Sequence, residues 1–126
     1  MPALASAKDT ALTATLHGRN ERPTTADKDG SGFAAIVLDD SKDQICFALA
    51  WNKIGTPIMA HIHRGGRNVA GAIVVPLFMG APMKAACVSA SHTLIKQIAS
   101  KPKNYYVNIH TGAFPAGAIR GQLKRA

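Results

Sequence analysis

Residues 58–63 read Ile58-Met59-Ala60-His61-Ile62-His63, with an apolar residue at every second position. Successive side chains of a strand point to opposite faces, so residues two apart lie about 6.5–7 Å apart on one side. Ile58, Ala60 and Ile62 then share one face, and Met59, His61 and His63 share the other. Strict alternation of this kind is the pattern of a strand with one buried face.

The same period recurs in both directions from this stretch. In Tyr105-Tyr106-Val107-Asn108-Ile109-His110 it turns Tyr105, Val107 and Ile109 inward and Tyr106, Asn108 and His110 the opposite way. Thr10 to Leu16 alternates Thr with Ala or Leu, Phe33 to Leu38, Ile45 to Trp51 and Ala72 to Phe78 are apolar runs of strand length, and Asn104 to Thr111 and Ala118 to Leu123 read as a closing pair of strands around Gly112 to Gly117. Asp39-Asp40-Ser41-Lys42-Asp43 has the composition of a hairpin connection. Gly80 to Ala90 reads as coil. Ser91 is placed to cap a short helix whose apolar stripe is Leu94, Ile95, Ile98 and Ala99, ended by Lys101 and Pro102. About seven short strands and one inserted helix predict an all-β fold: an antiparallel Greek-key β-sandwich or barrel, superoxide-dismutase-like or Ig-like, with the helix near 92–100.

The length of 126 residues suits one domain with a core of its own. The expected division is residues 1–8 as a flexible remnant of a secretory leader, from the small-residue run Ala3-Leu4-Ala5-Ser6-Ala7, and 9–126 as the single β domain. The longest apolar run, Ala72 to Met79, is far shorter than the roughly 20 residues a membrane helix needs, so no membrane span is expected. The two cysteines, Cys46 and Cys87, are the minimum for one disulfide, and pairing would fit a secreted, extracytoplasmic protein. Two buried free thiols are the alternative.

All seven acidic residues lie at or before Asp43, and residues beyond it carry ten Lys and Arg without a carboxylate. Such a chain attracts anions through its long-range field. Its cations are spaced singly, without aromatic interleaving, and predict no specific nucleic-acid partner. The same distribution argues against two-carboxylate hydrolysis. No nucleophile-elbow, phosphate-loop or dinucleotide motif is present. Asp27-Lys28-Asp29-Gly30-Ser31-Gly32 opens like a calcium loop, but Leu38 stands where the distal glutamate belongs, so a turn is expected.

The remaining constellation is histidine-based. His61 and His63 on one strand with His110 from a neighbour form a workable ligand set for copper or zinc, because imidazole suits both ions. Met59 would add a soft thioether. Glu21 and Arg120 are a candidate carboxylate–guanidinium pair.

These residues also carry a resemblance. Leu16-His17-Gly18 followed by Glu21-Arg22-Pro23, then Ala60-His61-Ile62-His63-Arg64-Gly65, then Tyr106-Val107-Asn108-Ile109-His110-Thr111 with Pro115-Ala116-Gly117-Ala118-Ile119-Arg120-Gly121-Gln122-Leu123, resembles the CHRD domain. That module is named after chordin and also occurs as short single-domain bacterial proteins. Glu21-Arg22-Pro23-Thr24 departs from the family's usual Glu-Val-Pro-Pro. The resemblance implies an extracellular β-sandwich without implying a reaction, and it places His61, His63, Asn108, His110, Arg120 and Gln122 on motif positions. The His-x-His strand is also similar, locally, to the copper-binding strand of copper/zinc superoxide dismutase.

Three functions stay open on this reading. A secreted binding module would hold copper, zinc or a small anion beside Arg120, using Met59, Tyr106, Asn108, Gln122 and Glu21 as neighbours. An enzyme would use the same His and Arg groups for metal-assisted or acid–base chemistry on a small substrate. A structural domain would bury them as a polar network and act through a protein partner.

Overall fold

A computed structural model describes residues 9–126; the expected leader remnant at 1–8 lies outside the described residues. Strands β1 (Thr10–His17), β2 (Ser31–Asp39) and β3 (Gln44–Asn52) form an antiparallel meander. The chain then crosses to the far side of the sheet, where β4 (Pro57–Arg64) pairs with both β5 (Ala72–Met79) and β7 (Tyr105–Thr111). β8 (Ile119–Gln122) joins β7 to β1, β6 (Ala85–Ser89) extends the β3 edge, and β9 (Lys124–Arg125) pairs with β1. The strand order is β5-β4-β7-β8-β1-β2-β3-β6 in one continuous sheet, whose edge strands β5 and β6 approach each other. Of the two architectures expected, the result is a nearly closed barrel.

Alternation builds its interior. Leu12, Ala14 and Leu16 of β1 face Ala34, Ile36 and Leu38 of β2, Ile45, Phe47 and Leu49 of β3, Ala60 and Ile62 of β4, and Val107 and Ile109 of β7. Burying each Leu or Ile contributes about 1.5–3 kcal/mol. Helix α1 (His92–Ser100) adds Ile95 and Ile98 to that core, and Ser91 caps it by accepting the Leu94 N–H at 3.1 Å. The Asp27 carbonyl accepts from Gly30 N–H at 3.1 Å, the β-turn expected in place of a calcium loop.

Residues 80–90, expected as coil, contain β6 instead. Its five residues are small and alternate between half-buried and exposed, so pairing with β3 rather than apolar patterning makes it a strand. That pairing sets Cys46 directly opposite Cys87, and the two are disulfide-bonded. The bridge therefore staples an edge strand to the sheet. Replacing both cysteines, C46A/C87A, is expected to lower unfolding free energy by about 4 kcal/mol for a loop of this length. Urea denaturation measures the loss, and hydrogen exchange should accelerate in β6 before β1 or β2. Unchanged stability would show that edge pairing alone holds β6.

Candidate metal site

The registers lay the predicted residues out in rows on the outer face of the sheet. His61 of β4 pairs with Asn108 of β7, which pairs with Arg120 of β8; His63 pairs with Tyr106, and Tyr106 with Gln122; Met59 pairs with His110. Strand parity read from the sequence thus places every one of them on the expected side. Their exposure differs from expectation, because β7 is buried along its whole length, on both faces. Loops 65–71 and 112–118 bond onto the outer face, leaving His61, His63 and His110 only 3%, 7% and 5% exposed. Against these residues β5 is irregular, with Pro76 opposite His61 and register shifts on either side. Bulges of this type re-aim side chains locally.

Backbone carbonyls determine the protonation of two imidazoles. His63 Nδ1 lies 2.9 Å from Gly71 O and His110 Nδ1 lies 2.9 Å from Pro115 O. A carbonyl only accepts, so each Nδ1 carries the proton and donates it. In the neutral ring each Nε2 is then a bare lone pair. Both point at the same acceptor, since Asn108 Oδ1 is 2.8 Å from His63 Nε2 and 3.0 Å from His110 Nε2. The Asn108 side chain also faces the Glu21 carboxyl and favours its ionised form. His61 Nδ1 completes the group at 3.0 Å from His110 Nε2.

A neutral His61 protonated at Nδ1 donates to His110 Nε2, which leaves His63 Nε2 facing Asn108 Oδ1 as two acceptors that need a proton or a cation between them. Protons are disfavoured here. Burial, followed by the repulsion of His110 and His63, pushes His61 down to about 4, and burial likewise lowers His63 and His110. One ligand nitrogen from each ring lies within 4.8 Å of the others. Two nitrogens at about 2.0–2.1 Å from one zinc span at most about 4.2 Å. Tetrahedral zinc sets its nitrogens about 3.4 Å apart, so the most widely spaced pair must close by up to about 1.4 Å to hold an ion.

The surroundings lock this arrangement. The Tyr106 ring stacks on His63 at 4.7 Å and 5°, carries the Arg120 guanidinium at 3.4 Å, and accepts the Gly71 N–H on its hydroxyl at 2.9 Å. Arg120, 1% exposed, donates to the carbonyls of Val69 (2.6 Å), Gly66 (2.8 Å) and Arg67 (3.2 Å). Its expected ion pair with Glu21 is absent among the described residues, because these loop carbonyls take its donors and only longer-range attraction links the two charges. The same engagement removes Arg120 as an open anion site. Gln122 donates to Gly65 O, Lys103 O and Tyr105 O, a purely structural use. Met59 stays half-buried beside His110, outside the hydrogen-bonded group.

Gly71, Pro115 and Gly117 were not legible as site residues. Two contribute main-chain carbonyls, which carry no side-chain signal. A Cβ on Gly71 would collide with the Arg64 carbonyl. Gly117, at φ +130°, brings its backbone so close to Glu21 that a Cβ would lie 2.5 Å from Oε2.

Glu21 is itself 3% exposed, and its Oε2 has no hydrogen-bond partner. Burial outweighs the attraction of Arg120 and the Asn108 bond, pushing the carboxyl up from 4.5 to about 7. A carboxyl whose pKa is raised on folding binds more protons folded than unfolded between those values, so stability falls as pH rises through that window. Against E21Q, which cannot ionise, the wild type is expected to lose up to about 3 kcal/mol between pH 4.5 and pH 7. Urea titrations of both proteins in chelator, across that range, measure the gap; a constant gap would mean Glu21 titrates normally.

Among known proteins, the family model described as CHRD domain matches residues 12–123, from the first core leucine of β1 to the last residue before β9. No curated protein and no solved structure matches the chain. The match spans the whole histidine face, its two covering loops and the barrel beneath, so the chain belongs to the CHRD domain family.

Proposed function

We propose that this protein is a secreted metal-binding CHRD domain in which His61, His63 and His110 hold one copper or zinc ion. One observation carries the reading: carbonyl-pinned imidazoles aim bare nitrogens at a common point that already faces an amide oxygen. Metal-ligating histidines characteristically donate their second ring N–H to a backbone carbonyl, which fixes the tautomer and orients the ring. Three neutral ligands suit ions that favour imidazole, and the lack of acids after Asp43 disfavours calcium or magnesium. The Cys46–Cys87 bridge supports an oxidising compartment.

Burial favours holding an ion over turning over a substrate. With each imidazole less than a tenth exposed and both loops bonded down, a small substrate would have to displace the loops that orient the catalytic groups. A metal-free polar network fits less well. It requires Asn108 to turn its NH2 toward the two histidines and its Oδ1 toward Glu21, an arrangement that Glu21 meets only while protonated, below its raised value of about 7.

The test uses chelator-stripped full chain, loaded with Zn(II) or Cu(II), dialysed and assayed for bound metal. One equivalent is expected in the wild type and none in H61A/H63A, whose folding is checked by circular dichroism. At free metal one hundred times Kd the wild type should gain about 2.7 kcal/mol of stability. Equal metal retention in both proteins overturns the proposal.

A further inference from the structure

Next to the histidines, the structure places a pair of methionines that the zinc or copper site does not use. Met59 pairs with His110 across β4–β7 and with Met79 across β4–β5, so His110, Met59 and Met79 form one row of side chains on the outer face. The Gly80 N–H donates to Ile58 O at 2.8 Å, which makes 58 and 80 a hydrogen-bonded pair. Met59 and Met79 are then the adjacent non-hydrogen-bonded pair, where Cα atoms approach to about 4.5 Å and side chains lie closest. Exposure rises along the row, from buried His110 through half-buried Met59 to Met79 at 70%.

We propose that Met59 and Met79 form a soft-cation site for Cu(I), standing at the solvent end of the row that leads to the histidines. Thioether sulfur is polarisable and selects Cu(I) over Zn(II), Ca(II) or Mg(II). Two such sulfurs on neighbouring strands can share one ion without distorting the sheet, because unbranched methionine has three rotatable bonds to adapt. The position suits entry as well as binding. Loop 65–71 is fastened over His63 and loop 112–118 over His110, whereas Met79 stands on edge strand β5, where no further strand pairs. Copper remains monovalent throughout, and no electron transfer is involved. The entry role rests on the histidine site proposed above; binding at the methionine pair does not.

Silver(I) is a redox-inert probe for Cu(I) and can be followed on full-length protein labelled with 13C at the methionine methyl groups. One equivalent should shift the Met59 and Met79 methyl resonances together. M79L, an exposed and nearly isosteric change, should weaken silver binding at least tenfold while altering Zn(II) affinity less than twofold. Unchanged silver affinity in M79L, or shifts at Met83 in place of Met59, overturns the proposal. Wild type that binds silver in this manner but no Zn(II) or Cu(II) would refute the histidine site and leave the methionine pair standing. Wild type that binds Zn(II) but shows none of the silver shifts would do the reverse.

Discussion

Gly71 O and Pro115 O decide where the protons of His63 and His110 reside, and the character of the whole outer face follows from that placement. Had either ring donated from Nε2 instead, the cluster would be an ordinary set of paired donors and acceptors. With Nδ1 committed to carbonyls, the Nε2 lone pairs of His63 and His110 converge on one amide oxygen, and burial disfavours a second proton on either ring. A neutral imidazole has one donor and one acceptor, so fixing the first necessarily fixes the second. The loops are therefore part of the site's chemistry as well as its cover.

Those loops need anchoring, since irregular backbone ordered on a surface loses about 1–2 kcal/mol per residue in conformational entropy. Arg120 supplies much of it by gathering three carbonyls of loop 65–71 with one guanidinium. Hydrogen bonds to a charged donor contribute roughly 1.5–3 kcal/mol each. Its guanidinium lies 3.4 Å from the centre of the Tyr106 ring, which also stacks on His63, and so couples the loop anchor to the imidazole. Asn20, in the turn that follows β1, donates its amide to the Arg120 carbonyl at 3.0 Å. Disturbing Arg120 would free the loop, lose the Gly71 carbonyl and release the His63 tautomer in turn.

The strands that carry the site were legible because alternation is local: Ile58 to His63 and Tyr105 to His110 each declare their two faces without reference to the rest of the chain. The covering of the outer face was not legible, because Arg64-Gly65-Gly66-Arg67-Asn68 and Gly112 to Gly117 have no period, and their effect comes from main-chain atoms. β6 escaped notice for a related reason. Ala85, Ala86 and Ser89 have weak strand preference, and only the register with β3 makes them one. The motif resemblance supplied what periodicity lacked, since it grouped Arg120 and Gln122 with the histidines before any contact was known. It could not show that Arg120 turns toward loop carbonyls and away from Glu21.

The charge layout gives the site its chemical bias. Seven acids sit in the first 43 residues, and Glu21 is the one that reaches the cluster, acting through the Asn108 amide instead of as a direct ligand. An ion among His61, His63 and His110 would therefore meet neutral nitrogens first, a single carboxyl behind an amide, and the fixed positive charge of Arg120 close by. Hard cations bind where several anionic oxygens compensate their dehydration, and this cluster offers none. Imidazole nitrogen instead suits zinc and copper, and thioether sulfur suits Cu(I). By confining its carboxylates to one end of the sequence, the chain surrounds its buried histidines with neutral ligand atoms, the donor set that the proposed copper or zinc ion would require.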